Sequence, residues 1–550
     1  MREIKKLTEE AMKEAGIYRP DLPEVSVEAP NERSNGDFST NIALLSAGIL
    51  RSAPMRTAGM IAEKIRTEGT HISRIETAAP GFINFYLSDD YLYEGLEGIL
   101  DLGEDFGSLD IGKGSRIMVE YVSANPTGPL HMGNARGGAL GDLIAAVLEK
   151  AGYCVTREFL INDAGNQMDK FACSLEARYM EILMGKGACK FPEDGYAGED
   201  IVGHARDFAD IYGSSLLNLP AEQRREKLAG FALERNINAM RGSLESYGIL
   251  FDNWFSEQSL FDSGELEESI KYLDDKGYTY EHDNAKWFRS SLFGCSKDDV
   301  LVRNNGVTTY FASDIAYHRN KFHIRGFDRV INLLGADHHG HVARMKAACR
   351  ALGVEDGRFE LIVFQLVRLI KDGQTVKMSK RTGKAISLDE LICDVGRDAV
   401  RFFFNMKASG SHLDFDMDLA AKQSEENPVF YVQYAYARIC SILRKIDEEG
   451  IRTGSGHNFR LLDGAEEKKL IDKLLDYPEE IRICAGTLEP SRLTRYAIDT
   501  AALFHSFYNA KRVMVDDPLL FSSRLKLVEA VRIVLKNVLD LMKISAPERM

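Results

Sequence analysis

The sequence predicts a modular α/β chain, with a parallel-sheet domain in the middle, a smaller α/β unit before it and an all-α domain after it. Three observations predict this. Residues 115–170 run strand, glycine-rich turn, helix, strand and the opening of a second helix, a βαβ unit that requires a parallel sheet. At 550 residues the chain is too long for one hydrophobic core. From Asn427 onward, strand and turn signals give way to helical periodicity.

Bulk composition narrows the class. A hydrophobic fraction of 45% and a charged fraction of 28% are those of globular protein, and no apolar run approaches a membrane span. The first sixteen residues, "MREIKKLTEEAMKEAG", read as a charged amphipathic helix and not as a secretory signal. The eight cysteines are scattered with no C-x-x-C pair, so neither a disulfide framework nor a structural metal is expected, and a reducing cytoplasm fits. With 69 Lys plus Arg against 83 Asp plus Glu, charge alone argues against a nucleic-acid partner. An acidic body can still carry a local basic stripe.

Taken in order, residues 1–110 hold "NGDFSTNIALLSAGIL" (35–50) and the strand-like "GFINFYLS" (81–88), and end in the linker-like "DLGEDFGSLDIGKG". Residues 111–390 form the parallel-sheet domain, with a polar, helical insertion at about 171–260. Strands are expected to return in "GVTTYFASDIAYH" (306–318), "RVINLLGADHHGH" (329–341) and "ELIVFQLVRLI" (360–370), followed by a turn at Asp372-Gly373. Residues 391–428 connect to the helical 429–550.

Within the βαβ unit, "NPTGPLHMGNARGG" (125–138) joins the strand "RIMVEYVS" to a helix whose Leu140, Leu143, Ile144, Val147 and Leu148 share one face. Gly133, Gly137, Gly138 and Gly141 burden that helix by roughly 1 kcal/mol each relative to alanine. A helix starting directly after a sheet strand presents unpaired N–H groups and a positive dipole end, which suits a phosphate, and glycines let a ligand approach closely. The spacing matches neither G-x-G-x-x-G nor a P-loop. His131 adds a donor at the same mouth, although a tight turn with a capping histidine explains the stretch equally well. Further on, "KMSKRTGK" (377–384) places two lysines at i and i+3 beside a serine, a pattern suited to clamping a polyphosphate.

The pair of motifs, H-x-G-x at 131–134 and K-M-S-K at 377–380, resembles the ATP signatures of class I aminoacyl-tRNA synthetases. The longer "VEYVSANPTGPLHMGNARGGALGDLIAAVLEKAGYCVTREFLINDAGNQ" is similar to the bacterial arginyl-tRNA synthetase family. So are "NGDFSTN", "APGFINFYL", "GADHHGH", "FHSFYNAKRVM" and the final "APERM", so that the likeness spans essentially the whole chain. It implies a Rossmann-like nucleotide-binding catalytic domain, an N-terminal additional domain and an anticodon-binding C-terminal domain. It also implies an activity: activation of arginine with ATP, then transfer to the terminal adenosine of tRNA(Arg). One departure stands out, since Asn134 occupies the place of the family's second histidine. Asparagine can donate a hydrogen bond but cannot be cationic.

The resemblance implies residue roles. His131, Lys377 and Lys380 would be catalytic, and together with Gly133, Asn134, His341 and Ser379 would hold ATP. Glu120, Asn125, Tyr310, Asp314 and His338 would hold arginine, a guanidinium needing carboxylates in bidentate geometry. The three histidines of "GADHHGH" read as hydrogen-bonding loop residues and not as a metal site. Gln365 interrupts an apolar strand and is a pocket candidate; Tyr317 and Arg319 could equally lie on a surface helix. Magnesium would ride on ATP, outside any protein cage. In the C-terminal region Tyr434, Arg438 and Met550 are candidates for tRNA contact, and Asn35 and Asp37 in the N-terminal unit, aromatic residues at helical spacing being otherwise core. A monomer is the family expectation. A glutamate or glutamine synthetase would need a cationic pocket, opposite in sign to Glu120 with Asp314. A silent tRNA-binding paralogue is weighed as the alternative, against the intact "HMG" and "KMSK", and a tRNA-independent adenylyltransferase against the aromatic-rich C-terminal helices.

Overall fold

The computed structural model describes residues 2–28, 30, 32–376, 386–450 and 456–550, and within them all side chains except those of residues 2, 33 and 337–339. Two compact units emerge, one of Met1–Gly103, Ile446–Leu475 and Ser506–Ile533, the other of Glu104–Lys445, Asp476–His505 and Val534–Met550.

The first unit contains a three-stranded antiparallel sheet with Phe82–Leu87 between Phe38–Thr40 and Ile72–Ala78. The helices Arg2–Glu14, Ile42–Leu50 and Pro54–Ala62 add Ile4, Met12, Ile42 and Ile61 to Ile83 and Phe85 of the central strand in one apolar core. Asp37 is spent on this fold, since its carboxylate accepts from the Leu87 N–H at 2.7 Å. Asn35, by contrast, lines a cavity of about 540 Å³ with Glu28, Asn41 and Asn84.

The second unit is built on five parallel strands: β1 (Arg116–Glu120), β2 (Cys154–Ile161), β3 (Asn253–Ser256), β4 (Arg329–Gly335) and β5 (Phe359–Phe364). Their order is β5-β4-β1-β2-β3, the doubly wound arrangement in which chain direction across the sheet reverses between β1 and β4. Ligands bind such sheets outside the carboxyl ends of the strands at that switch point. Helix α1 (Met132–Lys150) follows β1 and is buried along almost its whole length, Ala135 to Leu148. That explains its glycines. A Cβ on Gly137 would lie 2.8 Å from the Phe364 ring, one on Gly138 2.8 Å from Ile249, and one on Gly141 2.3 Å from the Tyr121 ring. These three positions are small because the helix lies hard against the sheet and its neighbours, and only Gly133 stands at the mouth. Gly141→Ala is expected to destabilise the protein by about 2 kcal/mol, overpacking outweighing the gain in helix propensity, and a lowered unfolding temperature checks it.

Between β2 and β3 the insertion folds as three helices, Asn166–Met184, Glu199–Tyr212 and Ala221–Ser246, around Phe171, Tyr179, Ile201, Phe208 and Leu228. The chain then returns to the sheet through Asn253–Ser256, a strand of 4 residues and too short to show alternation.

Two local expectations are corrected. The stretch 306–318 does not form a strand: after Thr309 it is helix α2 (Tyr310–Arg319). Its consecutive β-branched run, Val307 to Thr309, stops there, and Phe311, Ala312, Ile315 and Ala316 form a helical face packed in one core cluster with Phe288 and Val330. Tyr317 lies in the same cluster, 2% exposed, and so is not on a surface helix. The stretch 360–370 is two strands, because Val367–Lys371 leaves β5 to pair with Gln374–Val376 and Leu413–Asp416. The break is fixed at Gln365, whose N–H donates to Ser409 O at 3.0 Å and whose carbonyl accepts from Arg136 at 2.6 Å. The hairpin turn falls at Asp372-Gly373, both with positive φ (52° and 69°), as a tight two-residue connection requires.

The C-terminal part is helical as expected, with Pro428–Glu448, Ala465–Leu475, Tyr477–Thr487, Ser491–Ala510 and Pro518–Leu541. In the second unit, fully buried Arg401 donates to Asp142 of α1, to Met542 O at 2.7 Å and to Tyr247 O at 3.1 Å.

Candidate active site

The carboxyl ends of the five strands carry the polar residues. β1 ends in Glu120, β2 leads into Asn162 and Asp163, β3 into Glu257, β4 into the turn Ala336–His341, and β5 into Gln365.

Beyond β1 the backbone is strained. Val122 and Ser123 have φ of 69° and 37°, a conformation that costs about 1–3 kcal/mol per residue and is least accessible to a β-branched side chain. The turn aims Ser123 Oγ between two partners: it donates to Glu120 at 3.1 Å and accepts from the Leu160 N–H at 3.1 Å. Asn125, further along the turn, accepts from Asn162 at 3.0 Å.

His131 is the N-cap of α1. Its Nδ1 accepts from the Gly133 N–H at 3.2 Å, while Asn134 Oδ1 accepts from the His131 N–H at 3.1 Å, closing a capping box. Nδ1 is thus unprotonated, and a neutral ring carries its hydrogen on Nε2 as a donor. Gly133 permits the fold of the ring, since a Cβ there would approach the imidazole to 3.1 Å. Asn134 thus has a local task, as an acceptor in the cap of its own helix. Two residues on, buried Arg136 holds the carbonyls of Gln365, Ala408 and Ser411, and burial pushes its guanidinium down to about 10.

Lys377, Ser379 and Lys380 lie outside the described residues. Where the described chain resumes, it is held beside the helix start: Ser387 forms a β-bridge with His131, and the Leu388 N–H donates to Leu130 O at 2.8 Å. Ser387 caps its own helix in a second capping box with Glu390.

One side of this edge is anionic. Tyr310 is half exposed on α2 and Asp314 lies one turn later. Beside them is Glu257, which sequence reasoning missed. It is 6% exposed, one carboxylate oxygen accepts from Ser313 at 2.7 Å, and the other has no hydrogen-bond partner. Burial, reinforced by Asp314 and Asp163, pushes its pKa up to about 7. A half-satisfied buried carboxylate beside another carboxylate is costly, which makes Glu257 a candidate functional group. The signal available in sequence was weak, a glutamate directly after the short strand "NWFS".

Glu120 is placed differently from the rest. It is 4% exposed and paired with fully buried Lys321, which also donates to Asn332 at 3.2 Å and lies 3.9 Å from the Tyr317 ring centre. Lys321 sits in a π-helical turn, Asn320–Ile324, that extends α2 and turns the ammonium toward the end of β1. Glu158 anchors the same group, accepting from Tyr317 and Arg325.

His341 closes the far side, its Nε2 2.9 Å from Asp314 Oδ2. The structure therefore brings a residue expected at ATP and one expected at arginine into contact. The side chain of His338 lies outside those described. Among the described residues, no group of three or more His, Cys, Asp or Glu is placed to share a metal ion. No described helix is long and apolar enough to cross a membrane.

Away from this edge, helix α3 (Pro428–Glu448) carries the aromatic stretch of the C-terminal part. Tyr436 and Gln433 are buried, while Tyr434 and Arg438 are partly exposed and joined by an Arg438 hydrogen bond to Tyr434 Oη at 2.6 Å. Met550 is exposed.

Three family models match the chain: an arginyl tRNA synthetase N terminal domain over residues 2–87, a class I (R) tRNA synthetase catalytic domain over 100–210 and 222–409, and a DALR anticodon binding domain over 432–550. The arginine–tRNA ligase of Acetivibrio thermocellus is 56% identical, with 100% of this chain and 99% of that protein covered. The arginine–tRNA ligase of Ruminiclostridium cellulolyticum is 58% identical over 96% of this chain and 94% of its own length. The fold matches that of Thermus thermophilus arginyl-tRNA synthetase with a TM-score of 0.78 at 23% identity, covering 100% of both chains. With its doubly wound sheet, its capped helix at the switch point and these full-length matches, the chain belongs to the arginyl-tRNA synthetase family of class I aminoacyl-tRNA synthetases.

Proposed function

We infer that this chain is an arginine–tRNA ligase: it activates L-arginine with ATP to arginyl-adenylate and pyrophosphate, and passes the arginyl group to the 3′-terminal adenosine of tRNA(Arg). The structural observation that best supports the substrate is the carboxylate pair Glu257 and Asp314 beside Tyr310 at the carboxyl edge of the sheet. Two acids on one side of a pocket suit a guanidinium and repel an acidic substrate.

In the first step the arginine carboxylate oxygen attacks the α-phosphorus and the bond to the β-phosphate oxygen breaks, so pyrophosphate leaves with the negative charge. No protein nucleophile is required, and catalysis is positioning plus stabilisation of that charge. His131 Nε2 and the N-terminal N–H groups of α1 support the triphosphate, with Gly133, Asn134, His341 and Ser379 at the nucleotide. Lys377 and Lys380 are assigned to the leaving pyrophosphate. Magnesium arrives as part of the ATP substrate. Glu257, Asp314 and Tyr310 take the guanidinium, and Glu120, Asn125 and His338 the remainder of arginine. Tyr434, Arg438 and Met550 are assigned to tRNA, and the enzyme works as a cytoplasmic monomer. The domain limits 1–110, 111–390, 391–428 and 429–550 stand as the proposed functional division. Nothing favours the silent paralogue.

The deciding test is arginine-dependent ATP–pyrophosphate exchange, with and without tRNA(Arg). Exchange only with tRNA supports substrate, reaction and tRNA-coupled activation together; exchange without it keeps the reaction and removes the coupling; none in either removes the reading.

A pH dependence arises from Glu257. Its carboxyl is raised in the folded protein, so the native state holds the proton more tightly than the unfolded chain. Its contribution to stability is therefore fully present below the unfolded value of about 4.3 and declines as pH rises to about 7. A cationic ligand needs the ionised form, so arginine affinity is expected to rise as pH increases through about 7. Calorimetric titration with arginine from about pH 6 to about pH 8 checks it.

A further inference from the structure

A chain of side chains leads from the arginine pocket into the protein body. Asp314 on α2 is 2.9 Å from His341 Nε2. Nδ1 of the same ring accepts from Arg344 Nε at 2.7 Å. Arg344 continues to Asp299 at 3.7 Å, and Asp299 accepts from Ser290 at 2.7 Å. The Phe311 ring braces both members, standing edge-on to His341 with ring centres 6.2 Å apart and under the Arg344 guanidinium at 5.3 Å.

The arginine decides the state of the imidazole. A guanidinium is always a donor, so a ring nitrogen that accepts from it carries no proton. The remaining hydrogen is then on Nε2, aimed at Asp314. An imidazole with both nitrogens protonated would instead be a cation against Asp314, competing for the charge that the substrate must find there.

We propose that Arg344 is a positioning residue for the arginine pocket: by donating to Nδ1 of His341 it keeps that imidazole a neutral Nε2–H donor, so that Asp314 meets the substrate guanidinium with its negative charge uncancelled. His341 fixes one carboxylate oxygen and leaves the other to the ligand. The charged and titratable groups around the ring include, among the described side chains, Asp314 and His318 from α2, Arg344 from its own helix, Asp299 with Cys295 behind Arg344, and Glu257 beside Asp314. Buried His318 is pushed well below the usual histidine range, chiefly by desolvation and then by Lys321, so it adds no competing cation. The inference rests on Asp314 receiving the guanidinium, as proposed above.

The test is the KM for arginine in ATP–pyrophosphate exchange with tRNA(Arg) present, at several values from about pH 6 to about pH 8.5. Four proteins are compared: wild type, R344M, H341Q and R344M/H341Q. Taking each variant as a ratio to its parent at the same pH divides out the titration of Glu257. The ratio of R344M to wild type is expected to be roughly tenfold at the acid end and to fall toward one at the alkaline end. Between R344M/H341Q and H341Q the ratio is expected to be flat, because a glutamine cannot take the second proton. A merely structural role for Arg344 would give one constant ratio at every pH in both pairs, and that result overturns the proposal. Wild type active with a flat ratio removes this inference alone; wild type with no arginine-dependent exchange removes the substrate assignment and this inference with it.

Discussion

Glu257→Gln is expected to raise the KM for arginine by on the order of 10²-fold while the KM for ATP stays within about twofold. The carboxylate is 6% exposed and has one oxygen without a partner, so an incoming guanidinium meets a charge that water does not screen and a lone pair that nothing else uses. Glutamine keeps the shape and the bond from Ser313 but removes the charge. The accompanying stability change is what separates this from damage. Because the folded protein raises this carboxyl to about 7, ionising it in the native state is unfavourable, so the neutral variant is expected to melt at the same or a higher temperature near pH 8. Lost arginine affinity without lost stability would mark a binding group. An unchanged KM would assign the guanidinium elsewhere.

Lys321→Met is expected to destabilise the protein by about 3–5 kcal/mol, through the carboxylate left behind. Lys321 is fully buried, and Glu120 keeps only the Ser123 hydroxyl once the ammonium is gone. Methionine fills the stem's place over the Tyr317 ring, so packing is largely conserved and charge is the variable. Lys321→Met with Glu120→Gln is expected to recover most of the loss, because removing both charges removes the unpaired one. Denaturation midpoints of the two single variants and the double measure the coupling. A loss under about 1 kcal/mol in the Lys321 variant would mean that water reaches Glu120 and that the pair is not structurally required.

Three glycines of α1 show how a sequence pattern can be read for the right element and the wrong cause. A glycine-rich helix after a strand suggests access for a phosphate, yet Gly137, Gly138 and Gly141 face Phe364, Ile249 and Tyr121 at distances that exclude a Cβ. Only Gly133 and the His131 cap lie at the mouth. The stretch 306–318 went astray through its opening "GVTT", which has strand chemistry, whereas the chemistry-bearing Tyr310 and Asp314 needed the helical spacing that places them one turn apart.

By itself the sequence determined the βαβ unit, the helical C-terminal part, the turn at Asp372-Gly373 and the family, because periodicity, turn residues and motif strings are written within a few consecutive positions. Tertiary structure alone decided that Glu120 pairs with Lys321, 201 positions away, that Glu257 stands beside Asp314 with an unsatisfied oxygen, and that Arg344 holds His341 against Asp314. These are set by strand order and by how each helix docks on the sheet. A buried charge takes its partner from the residue that topology brings within a few ångströms, and nothing in the local sequence records which residue that is.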